Sequence, residues 1–408
     1  MRTPAEHLAA VLDGVAPLEP VDLPLLEARG LVLAQDVVAP WPLPSFDNSS
    51  MDGYAVHASD VAGASEGSPV QLPVLGDLAA GASSREAVAP GTCVRIMTGA
   101  PMPPGADAVV PVELTDGGTE RVLVRGSVDA GAYVRRAGDD VPSGTTVARA
   151  GDVVTERNIA VIASVGAGTV SVVRRPRLIV ISTGDELVDA GEPLEHGQIV
   201  DSNGTMLTAL GLAAGANALR APRSRDDAIE FQALLDAAVE LSDVVVTSGG
   251  VSMGAYDTVK AVLSKTGDVE FVKVAQQPGM PQGTGRLGPR RVPIVTLPGN
   301  PVSSFVSFEL YVRPLVRRLM GHAVLSREPE PAIALEGFGS PAGKQQYVRG
   351  QLHVRADGTR EVRPVGGQAS HVMGGLAMAD AFIVVPPDVT RVEAGDEVVV
   401  IDLDRSAP

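Results

Sequence analysis

Three short stretches of this 408-residue chain end in residue types that hold phosphates and hard cations: STGDEL (182–187), TSGGVSMGAYD (247–257) and LPGNPVSS (297–304). Glycines let backbone N–H groups approach an anion, and a helix starting just beyond adds its positive end. Glu186 and Asp257 would set carboxylates beside that anion. Carboxylates next to phosphate suit Mg2+, a hard ion that keeps waters and bridges phosphate oxygens. Ser303 and Ser304 add hydroxyl donors. Taken singly, each stretch is also an ordinary tight turn, Glu186 a helix cap and Asn300 a turn residue. Their coincidence in one chain points to one ligand site. The candidates for substrate contact are Ser182, Thr183, Gly184 and Asp185, then Ser248, Gly249, Gly250 and Ser252, then Pro298, Gly299, Asn300, Pro301 and Ser303. Lys273, in FVKVAQQPGMPQG, reads as a cation that neutralises phosphate or, equally, as a solvated strand lysine.

A fourth stretch, PSFDNSSMDGYAV (44–56), packs two aspartates, an asparagine, two serines and a glycine between Phe46 and Tyr54. That mixture suits neither a buried strand nor a flexible linker. It describes a rigid polar loop held down by apolar pins, Phe46 and Tyr54. His57 and His371 have no partners at a ligand spacing and read as surface or structural residues, and Trp41 as packing at a domain junction.

The elements that must position these groups follow from pattern. Thr3 caps and Pro4 opens a helix over 3–14. Between 41 and 137, short β-like runs alternate with Gly/Pro turns, which reads as a small β domain. A helix is expected around Glu156–Ser164. From 176 to 320, β-rich apolar runs alternate with helical patterns, the mark of a mostly parallel sheet with helices on both sides. One such helix, over 225–241, would bury Phe231, Leu234, Leu235, Ala238 and Leu241; another would bury Phe305, Phe308, Val312, Leu315 and Leu319. In an open α/β sheet, ligands bind beyond the carboxyl ends of the strands, where the three polar loops would meet. SREPEPAI reads as a linker, and 331–408 as a small β-barrel.

Composition narrows the partners. The net charge of −16 argues against general nucleic-acid or anionic-membrane binding, though not against an anionic substrate in a local pocket. Cys93 is the single cysteine, so neither an intramolecular disulfide nor a cysteine-rich metal site is expected. The acidic N-terminal stretch does not read as a signal peptide, and no run reads as a membrane span. A cytoplasmic location is the simplest expectation.

Six motifs in order carry more than spacing: PSFDNSSMDGYAV, RIMTGAPMPPGADAVV, ISTGDEL, GQIVDSNGTML, VVVTSGGVSMGAYD and LPGNPVSSFVSFE. Together they closely resemble the molybdopterin molybdenumtransferases, bacterial MoeA and the E domain of gephyrin, over nearly the whole chain. The resemblance implies an enzyme of molybdenum cofactor biosynthesis. Such an enzyme inserts molybdate into adenylylated molybdopterin with Mg2+ and releases AMP and molybdenum cofactor. It implies four domains: an extended dimerisation domain (1–40 and 138–172), a small β domain (41–137), a MogA-like α/β molybdopterin-binding domain (173–324) and a C-terminal β-barrel (325–408). It also implies a homodimer whose site lies between the α/β domain of one subunit and the small β domain of the other. A molybdopterin adenylyltransferase and the molybdoenzymes would be transient partners. Asp52, Thr98 and Asp140 match functional positions of the family; Glu186 and Asp257 match its Mg2+-linked carboxylates; Asp226 and Lys273 align by spacing.

The chain departs from that pattern at Ala255, where many relatives carry an acid, and at Gln277 and Met280, where many carry lysines. Arg135, Arg136 and Arg286 are candidate substitutes for the missing charge. Two other readings compete: an adenylyltransferase of the related single-domain fold, disfavoured by the extra β domains, and a non-catalytic pterin carrier or scaffold.

Overall fold

The structure is a computed structural model that describes residues 1–82, 86–250, 258–265 and 268–404. The chain divides into two compact units, one of residues 22–170 and one of residues 1–21 with 171–408. Each is described by itself.

The larger unit begins with α1 (Pro4–Leu12). Thr3 caps it by accepting from the Glu6 amide, and the Glu6 carboxylate returns the contact to the Thr3 amide.

The smaller unit holds β1 (Asn48–Ser49), β2 (Gly53–Val56), β3 (Val70–Leu78), β4 (Cys93–Ile96), β5 (Ala108–Pro111), β6 (Arg121–Val124) and β7 (Val134–Arg135). Five of them form a sheet in the order β5-β2-β4-β3-β6, and β1 pairs with β7. Tyr54, Val56, Val110 and Val122 are fully buried in its core. The glycine of the DGYA stretch is required by packing: a Cβ at Gly53 would lie 2.0 Å from the Val110 carbonyl oxygen. The unit also carries α2 (Glu156–Ser164), capped by Thr155 and Asn158.

The larger unit continues with β8 (Arg177–Ser182), α3 (Ser202–Ala213), β9 (Asn217–Arg220), α4 (Ala228–Leu241), β10 (Val244–Ser248), α5 (Thr258–Leu263), β11 (Val269–Lys273), β12 (Pro281–Leu287) and β13 (Val292–Leu297). The six strands form one sheet in the order β9-β8-β10-β13-β12-β11. The first four are parallel; β12 runs antiparallel to β13 and to β11. Ile179, Ile181, Val245 and Ile294 face α4 and α5, where Phe231, Leu235, Val259 and Leu263 meet them. Each such side chain contributes about 1.5–3 kcal/mol by leaving water. Leu241 departs from expectation: it sits in the last turn of α4 and is 63% exposed, because the helix ends as the chain turns toward β10.

Beyond β13, α6 (Pro301–Ser307) continues through a π-turn at Phe308–Val312 into α7 (Arg313–Leu319). The face expected to be buried is buried at Phe308, Val312, Leu315 and Leu319. The SREPEPAI segment is only partly a connector, since its second half is strand β14 (Pro329–Ala334). With β15 (Gln345–Val354), β16 (Arg360–Pro364), β17 (Ala381–Val385) and β18 (Glu397–Asp402), β14 forms the run β15-β16-β14-β18-β17. A further pairing of β17 with β15 closes it into a five-stranded barrel around Val348, Val362, Ile383 and Val400. Among the described residues, no helix is long and apolar enough to cross a membrane.

Candidate functional site

From β8 the chain steps to β9 on one side, then crosses to β10 on the other. The strand order therefore reverses between β8 and β10, which opens a crevice at their carboxyl ends. Register sets Ser182 beside Ser248, and Ser248 beside Leu297. A cavity of about 880 Å³ lies at this point. It is lined by Ser182, Thr183, Gly184 and Glu186 from the first loop, Ser248, Gly249 and Gly250 from the second, and Pro298, Gly299, Asn300 and Pro301 from the third. Asp226 and Thr258 line it as well. Ser252 and Asp257 lie outside the described residues, as does Ala255.

The rest of the loop candidates do not line the cavity. Asp185 braces it from behind, accepting from the Asp226 amide at 3.2 Å. Ser303 is buried at 3% exposure, and Ser304 donates its hydroxyl to the Pro298 carbonyl. Ser304 thus holds the turn rather than offering a donor to a ligand. The Gly249 amide is also spent, on the Leu297 carbonyl at 3.1 Å, so it ties β10 to β13 and is closed to a phosphate. Lys273 ends β11, which runs parallel to β13, so it stands at the same sheet end. Its register partner Pro281 lines the cavity and Lys273 does not.

Several groups that do shape the cavity carry no signal in spacing alone. Asp201 is 2% exposed, caps α3 through the Gly204 amide at 2.9 Å and pairs with Arg220 at 2.7 Å. Asn203 donates to Ser248 Oγ at 2.8 Å and to the Gly299 carbonyl at 2.7 Å, clipping the second and third loops together. The Ser182 hydroxyl is buried at the cavity without a hydrogen-bond partner among the described residues. His371, read from the sequence as surface or structural, lines the cavity from the C-terminal barrel.

In the smaller unit, Asp52 and Thr98 form a direct pair. Asp52 Oδ1 accepts from the Thr98 amide at 2.6 Å and from its hydroxyl at 2.8 Å. Those two donors, the amide first, hold the Asp52 carboxyl below the ordinary range. Asp47 is held down likewise, by the Ala137 amide and then by Arg136 at 2.6 Å. The loop is pinned by the fully buried Tyr54, whose hydroxyl donates to the Gly118 carbonyl at 2.9 Å. Phe46 is not a pin: it is 48% exposed, and the chain holds this corner through Asp47 instead. Asp140 is exposed, with its amide on the Leu43 carbonyl at 3.1 Å. His57 contacts the Val88 carbonyl at 2.9 Å, and Trp41 lies against Gly166 while 45% exposed. Arg136 is committed to Asp47, and Arg286 donates to the Val11 and Asp13 carbonyls at the end of α1. Neither is open as a substitute cation.

The whole chain is similar to proteins of one kind. It is 46% identical over 409 residues to Molybdopterin molybdenumtransferase 2 of Mycobacterium tuberculosis H37Rv, covering 99% of this chain and 100% of that one. The chain belongs to the molybdopterin molybdenumtransferase family. Molybdopterin molybdenumtransferase 1 of the same strain is 39% identical over 97% of each chain. The family models agree in order: the MoeA N-terminal region (domain I and II) matches residues 2–166, the "Probable molybdopterin binding domain" 179–318, and the MoeA C-terminal region (domain IV) 331–403. A MoeA protein structure from Pyrococcus horikoshii superimposes with a TM-score of 0.85 at 30% identity, covering 99% of both chains. A second, from the same species, gives 0.78 at 26% identity over 98% of this chain and 100% of that one. Apart from His371, the residues that line the cavity at the β8/β10 switch point fall within the molybdopterin-binding match.

Proposed function

We propose that this chain inserts molybdate into adenylylated molybdopterin and releases AMP and molybdenum cofactor, in the cytoplasm and as a homodimer. The observation that carries this reading is the cavity at the β8/β10 switch point, framed by three strand-end loops, in a chain alike from end to end to molybdopterin molybdenumtransferases. Its volume, about 880 Å³, suits a nucleotide-sized ligand.

The donor set fits Mg2+. Glu186 and Asp226 offer hard carboxylate oxygens at the cavity, and Ser182 offers a buried hydroxyl without a partner. Among the described residues no group of three His, Cys, Asp or Glu makes a closed cage, so substrate oxygens would complete the ion's coordination. Asp257 joins this set by resemblance. When bound, the ion supplies charge neutralisation to the phosphates of the adenylate.

The chain's own residues position and orient. Asn203 fixes the spacing of two loops, and Asp201 with Arg220 anchors the start of α3 beneath the ligand. No nucleophilic side chain is required: water, or a molybdate oxygen followed by water, attacks the adenylate phosphorus, the anhydride bond breaks with the pterin's phosphate as leaving group, and AMP is released. Asp52, Thr98 and Asp140 act on the same reaction from the partner subunit, with Lys273 at the rim of the α/β site. An adenylyltransferase would consume ATP when given molybdopterin. The proposed enzyme leaves ATP untouched and cleaves only the preformed adenylate. Nucleotide chromatography of the two incubations separates the readings, and ATP consumption would assign the other reaction.

A further inference from the structure

The cavity has an electrostatic problem. Its described lining carries the open carboxylates of Glu186 and Asp226, with Asp201 already paired to Arg220, and not one lysine or arginine. The substrate proposed for it is itself an oxyanion. Few neutral donors are open besides the Ser182 hydroxyl: Asn203 spends its amide on Ser248 and Gly299, Asn300 its amide on Ser370, and Thr258 donates to the Asp226 carbonyl at 3.1 Å. Among the described lining residues, one side chain has a ring N–H and can carry positive charge: His371.

His371 is held there by a built arrangement. It rides on a loop, 366–375, that leaves the barrel after β16. The loop is pinched at its base, where Gly366 and Gly375 touch so closely that a Cβ at Gly366 would lie 2.7 Å from the Gly375 Cα. Inside it, Arg349 of β15, 1% exposed, donates its guanidinium to the Gly367 and Val372 carbonyls. Gln368 closes the same neck, accepting from the Arg349 amide at 3.1 Å and donating to the Val365 carbonyl at 3.0 Å. At the tip, Ser370 accepts from Asn300 Nδ2 at 2.9 Å with its hydroxyl and from the Val302 amide at 3.3 Å with its carbonyl. Met373 receives the Ser202 hydroxyl at 3.7 Å. Burying an arginine to serve two loop carbonyls is costly unless the loop's shape matters.

We propose that His371 is a substrate-contacting residue, delivered to the cavity by the barrel loop, whose imidazole N–H donates to an oxyanion of the substrate. The inference rests on the function proposed above. The oxyanion has two sources, the phosphates of the adenylate and molybdate. Arg349 is then a positioning residue.

The test compares wild type with His371→Ala and His371→Gln. The Kd of adenylylated molybdopterin is measured by calorimetry without molybdate, and the KM of molybdate from AMP release. Loss of a charge-assisted hydrogen bond raises the affected constant about tenfold in His371→Ala, and the amide of His371→Gln recovers part of it. A raised Kd at constant molybdate KM assigns the contact to phosphate; the opposite split assigns it to molybdate. The exposed ring leaves Tm unchanged. If both constants stay within twofold of wild type, His371 is not a substrate contact and the inference is overturned alone. If wild type itself binds no adenylylated molybdopterin, the functional reading falls and takes the inference with it.

Discussion

At the scale of single residues, the role of each polar group follows from the contacts it already makes. Asn203 holds two loops with one amide, so it is a positioning residue. Asn203→Ala should raise the KM for the adenylate about tenfold or more with a smaller change in kcat, because the loops lose their spacing before any reacting group is touched. Steady-state kinetics at saturating molybdate reads that split. Asp52 answers differently. Its carboxyl is lowered by the Thr98 amide and hydroxyl, so the pair persists above the ordinary carboxylate range and is lost only as pH falls through the depressed value. Thr98→Val removes one of the two donors and should lower AMP release about 10- to 100-fold while leaving nucleotide binding in the α/β cavity unchanged. Binding and turnover lost together would move Thr98 out of the catalytic set.

At the scale of elements, two contacts decide whether the sheets form. Gly53→Ala puts a Cβ against the Val110 carbonyl between β2 and β5 and should cost about 2–3 kcal/mol in urea unfolding of the smaller unit. Asp243, 5% exposed, joins the starts of β8 and β10 through Arg174 at 2.7 Å and Arg177 at 3.1 Å. Burial alone would raise its carboxyl, but the two guanidinium groups and the Arg177 amide overrule that and hold it well below the usual range. Its contribution is therefore present above the unfolded carboxylate value and lost as pH falls through the folded one. Asp243→Asn should destabilise the larger unit by about 2 kcal/mol, less than a fully buried pair because both arginines are partly exposed. Much of this level was readable from residue order. Glycines and serines at the ends of apolar runs marked the three loops, and the α/β alternation placed them at one sheet edge. What spacing could not show was the use of their donors. Ser304 and the Gly249 amide turn back onto their own backbone. The Ser370–His371 tip arrives from a barrel about 70 residues downstream of Asn300, through contacts that only the folded barrel creates. Phe46 and Leu241 look buried by type and are exposed, Leu241 because α4 ends there and Phe46 in a bend before β1.

At the scale of the whole molecule, two predictions follow from charge and assembly. His7 and His322 are buried and neutral, each lowered from 6.5 to about 4, chiefly by desolvation and next by Arg2 and Arg317 respectively. The unfolded chain binds protons there that the folded chain refuses. Their contribution is complete above pH 6.5 and lost as pH falls from 6.5 toward 4. Tm should therefore drop between about pH 7 and about pH 5, and a His7→Leu/His322→Leu variant should drop less over the same interval. An equal drop would move the acid sensitivity elsewhere. Assembly has its own test. If each site draws Asp52 from one subunit and Glu186 from the other, mixing and reassociating Asp52→Asn with Glu186→Gln chains restores about a quarter of wild-type activity. Sites contained in one chain recover nothing.

The measurement that bears most directly on the central claim is AMP release from adenylylated molybdopterin as molybdate is titrated, for wild type and Glu186→Gln in Mg2+. The account predicts AMP release that requires molybdate, matches cofactor formation one for one and falls at least about 100-fold in Glu186→Gln. Tight binding of the adenylate by wild type with no AMP released at any molybdate concentration would contradict it and make the chain a carrier.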